Sequence, residues 1–403
     1  MEAYVLDWAN LLIRWLHVIT AIAWIGSSFY FVFLDNNLLK PKSADLLEKN
    51  VDGAMWAVHG GGFYNPQKYM VAPPKIHTKL HWFYWESYST WLSGFALFTL
   101  LYLWNAGTFL IDKSLMDWSP LMAGSAALGF LVGFWFVYDA ICRIFGFRQN
   151  GELIVAGLML VTVALSCWLA NQLFAGRAAF LLVGAMIATA MSANVFFWII
   201  PGQRKVVEAM TSGEAYDNVA LSIHGKRGKQ RSVHNTYFTL PVIFAMLSNH
   251  YSFLYTHELR WIVLFAMMFA GALIRQYFVQ RHAYHLGRAR NPWPFAAVGV
   301  VLILGVMMLI KPAPAAVTQA TQAPVTFAQV KPVLDQRCTT CHGEAVQMKG
   351  IRLDQVAAIK TNAQGIFQQV AVTRQMPMNN ATGITEEERS LIKRWYEAGA
   401  SVE

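Results

Sequence analysis

Long apolar runs separated by short polar stretches recur at about 10–34, 80–105, 120–145, 152–172, 178–200, 236–252, 258–280 and 293–310. A helix needs about 20 apolar residues to cross the hydrocarbon core of a bilayer. The pattern therefore predicts eight spans, the sixth and eighth short. It stops after residue 310. Residues 311–325, Lys-Pro-Ala-Pro-Ala-Ala-Val-Thr-Gln-Ala-Thr-Gln-Ala-Pro-Val, have nothing to bury and predict a semi-flexible linker. From 326 onward the periodicity is that of small amphipathic helices. Thr326 can cap a helix running through Phe327 and Val333 into Cys338. Thr385 with Glu388 three residues on forms a capping box for a last helix, Glu386 to Ala398, whose Leu391, Ile392 and Trp395 make one apolar stripe. The chain is expected to be all-α: a polytopic transmembrane helical bundle over 1–310, the linker, and a small helical domain over 326–403.

Composition supports this division. The chain is 56% hydrophobic with 14% charged residues, against about 25% charged in an ordinary soluble domain. The net charge of +9 could suggest a nucleic-acid partner, but no basic aromatic motif accompanies it, so none is expected. Topology explains the charge better. An even number of spans puts both termini on one side. The loops then facing inward hold most of the Lys and Arg, from Lys40 through Lys75 and Lys79 to Arg290, whereas the outward loops hold only Lys113, Arg177 and Arg260. This is the positive-inside distribution. Glu2 and Asp7 are unlike a basic leader, so no signal peptide is expected. Cys142 and Cys167 sit in apolar runs and read as small buried hydrophobes, not as a disulfide.

The other two cysteines carry chemistry. Cys338-Thr339-Thr340-Cys341-His342 reads C-x-x-C-H, the attachment signature of a covalent haem c. Two thiols one helical turn apart can bond both vinyl groups of one porphyrin, and the histidine that follows is held against the iron. A zinc or redox C-x-x-C would want further ligands nearby, and none follow. His342 is thus the proximal ligand. In Arg374-Gln375-Met376-Pro377-Met378 a thioether can close the sixth position: Met376 is chosen, with Met378 as the alternative. The C-terminal domain is accordingly expected to be a class I mono-haem cytochrome c. Such haem is ligated outside the cytoplasm, which places both termini in the periplasm of a bacterial inner membrane.

Ionisable residues inside apolar segments are functional hypotheses because burying them in lipid costs several kcal/mol. His17 lies near the outer end of the first run and His250 near that of the sixth. His81, Glu86, Asp139, Arg143, His234, Asn235 and Arg275 cluster toward inner ends, beside a loop containing His59-Gly60-Gly61-Gly62-Phe63.

The segments Trp15-Leu16-His17 through Trp24-Ile25-Gly26, Gly60 through Lys68, Leu80-His81-Trp82-Phe83 through Trp91-Leu92-Ser93-Gly94, and Ser232-Val233-His234-Asn235 through Leu240-Pro241 resemble the membrane-bound urate hydroxylases of bacterial purine breakdown, the PuuD type. The resemblance spans essentially the whole chain. It implies oxidation of urate to 5-hydroxyisourate, with electrons passing through haem c to a soluble cytochrome c or a terminal oxidase. It carries over no catalytic residues, so the site is argued from chemistry. Urate is planar and largely anionic, and needs cationic donors, a stacking ring and a base. His81 and Glu86, five apart on one predicted helix, are the expected acid/base pair. Arg143 or Arg275 would hold the anion, Trp82 or Phe63 would stack, and Asp139 and Asn235 would bind the ring. Electrons leaving an inner-side site would have to cross about 30 Å of bilayer core. His17 and His250 could ligate an intermediate haem b for that purpose. The alternative reading is an electron-transfer anchor that oxidises quinol or serves a terminal oxidase. A transporter is remote, because no inverted repeat is evident.

Overall fold

The computed structural model describes residues 2–69, 76, 79–212, 217–311 and 325–402. Lys75 and most of the predicted linker, 312–324, lie outside them. The fold is mostly helical, at 74%. The elements in order are α1 (Glu2–Asn37), α2 (Ala44–Glu48), strands β1 (Gly53–Ala54), β2 (Ala57–His59), β3 (Gly62–Tyr64) and β4 (Gln67–Lys68), α3 (Trp85–Phe98), α4 (Ala106–Phe109), α5 (Pro120–Phe145), α6 (Gly151–Leu173), α7 (Gly176–Asn194), α8 (Ile200–Thr211), α9 (Asn218–Leu247), α10 (Ser252–Tyr255), α11 (Arg260–His285) and α12 (Trp293–Leu309). The C-terminal unit follows with α13 (Phe327–Arg337), α14 (Thr339–His342), α15 (Val356–Thr361), α16 (Ala363–Ile366) and α17 (Glu386–Glu397).

Each of the eight apolar runs contains a helix, but three boundaries differ from expectation. The second run becomes helical only at Trp85, where Glu86 in the first turn complements the helix dipole. Its last turn, Thr99–Leu103, is π-helical. The fifth run continues through a π-helical turn, Val195–Ile199, into α8. The sixth run belongs to a helix that begins 18 residues early, at Asn218 rather than 236. Residues such as Lys226, Lys229 and Gln230 are polar yet good helix formers, so hydropathy alone missed this half. Among the described residues five helices are long and apolar enough to cross a membrane: Tyr4–Asn37, Pro120–Phe145, Gly151–Leu173, Gly176–Thr211 and Arg260–His285. Helix α12 is apolar but shorter.

Helix α7 is the axis of the bundle. Ala178, Ala179, Phe180, Leu182, Val183, Met186 and Ile187 are all buried along it, and it packs on α5, α6 and α9. Small residues permit the close approach, since a Cβ on Gly184 would lie 2.6 Å from the Cβ of Ala245 on α9. Cys142 and Cys167 are buried and unbridged, as expected. At one end of the bundle, β2 and β3 form a hairpin turned by Gly60 and Gly61, both at positive φ. Asp35 of α1 pins this hairpin end by accepting from Lys68 and Lys229, each at 2.6 Å.

The C-terminal unit has its own core of Phe327, Val330, Val333, Leu334, Leu353, Ile359, Ile366, Val370, Ile384, Ile392 and Trp395. The predicted capping box of Thr385 with Glu388 is present, and the predicted cap Thr326 forms one too, with Gln329. Ile392 and Trp395 of the predicted stripe are fully buried. Arg337 joins the first helix to the last by donating from Nε and Nη2 to Glu388 at 3.1 Å each. The turn Met378–Asn380 meets α4 at the bundle end opposite the hairpin. There a cleft of about 220 Å³ is lined by Arg177, Tyr255 and Arg260 on one side and Arg374, Met376 and Met378 on the other.

Burial works against ionisation of Glu388, but the hydrogen bonds from Arg337 and the Thr385 N–H outweigh it and hold the carboxyl below its usual range. The folded unit therefore binds fewer protons than the unfolded chain. Its stabilisation is complete above the free Glu value, about 4.3, and is lost as pH falls through the folded value. Hydrogen-exchange protection factors over 386–397 should fall on acidification through that range. E388Q should lower protection at neutral pH by about 1 kcal/mol and flatten the acid dependence.

Candidate functional site

Three helices bring a buried polar cluster together at the hairpin end. On α5 the helical period turns Tyr138, Asp139 and Cys142 inward, while Arg143 points out with its side chain 67% exposed. On α9, Arg231, His234 and Asn235 stand at i, i+3 and i+4 and so share one face. On α7, Asn194 is the last regular residue before the π-helical turn. That turn has a local cause. Pro201 has no N–H for the carbonyl four residues back, and the helix widens instead. The widened turn carries Trp198, whose Nε1 donates to Asp139 Oδ1 at 2.8 Å.

Asp139 and Arg231 are 6% and 3% exposed and make a 2.6 Å ion pair. The Arg231 guanidinium also lies over the Tyr138 ring, 4.8 Å from its centroid, and over Trp198 at 5.4 Å. A second thread of hydrogen bonds runs from the surface inward. Glu152, in the first turn of α6, faces His234 Nε2 at 3.1 Å and accepts from Gln230 at 2.7 Å. His234 Nδ1 meets Tyr138 Oη at 3.0 Å. Asn194 Nδ2 donates to Tyr138 Oη at 3.0 Å and to Asn235 Oδ1 at 2.9 Å, and Asn235 Nδ2 donates to the Met191 carbonyl at 2.9 Å. The directions follow from chemistry. A carboxylate only accepts, so His234 Nε2 carries its hydrogen; Nδ1 of the neutral ring then accepts from the Tyr138 hydroxyl. Two polar atoms in this cluster have no partner among the described residues, Arg231 Nη1 and Asn194 Oδ1. A buried donor and a buried acceptor left open around one tyrosine are what a polar ligand would satisfy.

The residues expected from sequence divide clearly. Asp139 and Asn235 are in the cluster. Arg143 is only at its rim, 3.8 Å from Asp139; the cation that Asp139 binds is Arg231. Arg275 is buried away from it, 3.8 Å over the Phe29 ring, with Nε and Nη2 unpartnered among the described residues. His81 and Glu86 do not share a helix: His81 precedes α3, exposed, with its ring against Phe83 at 4.5 Å. The irregular start of α3 removes the spacing on which that pairing relied. Trp82 lies under Arg204 at 6.0 Å, and Phe63 is 78% exposed on the hairpin. Tyr138, Glu152, Trp198 and Arg231 were not anticipated. Arg231 is in phase with His234 and Asn235, a signal hidden because the predicted span began at 236.

His17 Nδ1 is taken by the Thr90 carbonyl and Ser93 Oγ, each at 3.1 Å. Its ring packs so closely on Gly94 that a Cβ there would lie 2.8 Å from Cε1. His250 is exposed at the end of the turn Ser248–His250. Among the described residues the two histidines share no partner.

In the C-terminal unit Cys338 ends α13, and the N–H of Cys341 and of His342 return to its carbonyl at 3.2 and 2.9 Å. Burial pushes the Cys338 thiol up to about 12, so it is uncharged. His342 Nδ1 faces the Ile351 carbonyl at 3.3 Å, which leaves Nε2 free, the arrangement that orients a ligating imidazole. Met376 packs on the same apolar core, and its carbonyl accepts from Arg389 at 2.8 Å. Two thiols on one turn, a free imidazole nitrogen and a thioether on an apolar wall fit a covalent haem. Among the described residues no three His, Cys, Asp or Glu converge as a metal cage would need.

The family model for the urate oxidase N-terminal domain matches residues 3–311. No curated protein and no solved structure matches the chain.

Replacing Asp139 with Ala leaves the Arg231 guanidinium buried and unpaired. Thermal unfolding in detergent should report a loss of about 3–5 kcal/mol. Arg143→Ala, at an exposed and long contact, should leave the melting temperature unchanged.

Proposed function

We propose a function from one premise: the chain belongs to the urate oxidase N-terminal family, matched over residues 3–311. It is a membrane-bound urate oxidoreductase of the PuuD type, which converts urate to 5-hydroxyisourate and delivers the electrons to its own C-terminal unit. The observation that carries this reading is the continuation of the family's domain into a unit bearing Cys338, Cys341, His342 and Met376. An oxidase that passes electrons directly to oxygen needs no such acceptor.

In this reading the apolar helices make eight spans, with α3, α9 and α12 joining the five that are long and apolar enough to cross alone. Both termini and the class I cytochrome c unit face the periplasm, and the hairpin end faces the cytoplasm. The basic segments around 204–231 and 275–290 support that orientation. Cys338 and Cys341 would hold a haem c through thioethers, with His342 and Met376 at its iron, and the group would supply a one-electron acceptor. The onward acceptor is a soluble cytochrome c or a terminal oxidase. For a haem b, His17 keeps Nε2 free, but His250 supplies no paired ligand where it stands; a pyridine haemochrome spectrum with c-type haem alone removes that cofactor from the proposal.

The binding chemistry centres on the buried cluster. Arg231 Nη1 donates to an oxygen of the urate anion, and Asn194 Oδ1 accepts a ring N–H. Asn235 holds Asn194 in place, and Trp198 offers a stacking face. Arg275 is a second buried cation. In this reading His81, Glu86, Trp82 and Phe63 belong to the approach from the hairpin end, and His81 and Glu86 no longer act as an acid/base pair. The reaction balances with water as the oxygen source: the urate monoanion gains the oxygen at C5, loses two electrons and releases one proton.

Anaerobic urate should reduce the oxidised haem of the purified holoprotein, seen as growth of the reduced absorption bands. Cys338→Ser with Cys341→Ser should abolish both covalent haem staining and urate-driven reduction. Reduction by a quinol but not by urate would replace this reading with an electron-transfer anchor.

A further inference from the structure

The thread from Glu152 through His234 to Tyr138 has a surface end and a buried end. The Glu152 side chain is 63% exposed and that of His234 11%, whereas Tyr138 is fully enclosed. Every link is within hydrogen-bond distance, 3.1 Å and then 3.0 Å, and every link has a defined direction. This is a carboxylate that orients an imidazole, which in turn faces a hydroxyl. The same division of labour activates nucleophiles and bases on unrelated folds. The groups facing His234 are Tyr138 and Cys142 from α5 and Glu152 from α6, with Gln230 and Arg231 on its own helix. Cys142 Sγ stands farther from Nδ1, at 3.7 Å. The Arg231 guanidinium lies over the Tyr138 ring, 4.8 Å from its centroid.

We infer that Tyr138 is the base of the reaction and that His234 and Glu152 form its proton exit to the hairpin-end surface. The inference rests on the urate reading of the preceding subsection. As the C5–O bond forms, the attacking water gives a proton to Tyr138 Oη. The Tyr138 hydroxyl proton passes to His234 Nδ1, and the imidazolium is held by Glu152. The Nε2 proton then leaves through the Glu152 carboxylate to solvent, and solvent-mediated transfer of the remaining ring proton from Nδ1 to Nε2 restores the starting tautomer. One proton departs, as the balance from the urate monoanion requires, and the two electrons leave to the one-electron acceptor of the C-terminal unit. Asn194 keeps the Tyr138 oxygen aimed by donating to it. Tyr138 is the catalytic residue, and His234 and Glu152 position and discharge it.

The test uses the full-length holoprotein, with urate as the probe, under anaerobic single-turnover conditions. Tyr138→Phe should slow haem reduction about 100-fold while urate affinity changes by less than about threefold. His234→Gln should remove the acid limb of the pH–rate profile. Glu152→Gln sits at the surface and should leave the fold and KM unchanged. It should lower kcat about tenfold and move the acid limb to lower pH, because the imidazolium loses its counter-charge. A purely structural role would shift the melting temperature and leave the limb in place. Wild-type turnover with unaltered rates and pH profiles in all three variants would overturn the relay and leave the urate reading standing. A wild-type holoprotein that urate cannot reduce would overturn the urate reading, and the relay with it.

Discussion

The bundle depends on one buried ion pair. Asp139 and Arg231 are each more than nine-tenths buried and 2.6 Å apart. Neither charge is tolerable alone in an apolar interior. The pair therefore sets the register of α5 against α9 to within a fraction of a turn. It also sets α8 and the preceding π-helical turn, since Trp198 shares the same carboxylate. Such a pair is weak support for stability, because desolvation offsets most of the attraction. Its stronger consequence is placement. With Asp139 and Arg231 engaged, Tyr138 and His234, their immediate or near neighbours in sequence, are forced into contact.

The π-helical turn and the two prolines work in the same direction. Pro201 and Pro241 each leave a helical carbonyl without its intrahelical donor. Around Pro201 the helix widens and turns Trp198 toward α5. Near Pro241 a glycine on α11, Gly271, lets the neighbouring helix come close, its virtual Cβ 3.4 Å from the proline nitrogen. The bundle thereby assembles a polar centre between its helices, and leaves one donor and one acceptor there without a partner among the described residues.

The C-terminal unit is built on a different scale. Its determinants are local: two capping boxes, a three-residue thiol spacing and one amphipathic stripe. Long-range closure comes from Arg337, which reaches from α13 to Glu388 on α17 and to the Thr382 carbonyl. Arg389 likewise ties the methionine loop to the last helix through the Val370 and Met376 carbonyls. The methionine that packs on this core is Met376. Met378 instead begins the turn that meets α4.

The amino-acid order by itself determined whatever depends on neighbours within a turn or two. It specified the apolar runs, the capped helices at Thr326 and Thr385, and the short turn that carries Cys338, Cys341 and His342, because periodicity, caps and thiol spacing act over a few residues. It also marked Asp139 and Asn235 as costly polar residues in apolar surroundings. Their partners were decided only by the packing of helices far apart in the chain. Hydropathy could not show that α9 starts at Asn218, since a polar helix leaves no apolar run to detect. Arg231 was hidden for that reason, and the exposed Arg143, four residues along from Asp139, was the cation in plain view. Nor could spacing show that His81 falls outside α3, or that Glu152 on one helix and Tyr138 on another meet the two nitrogens of a single imidazole. Hydrogen bonds between helices depend on crossing geometry, and that geometry exists only once the bundle has closed.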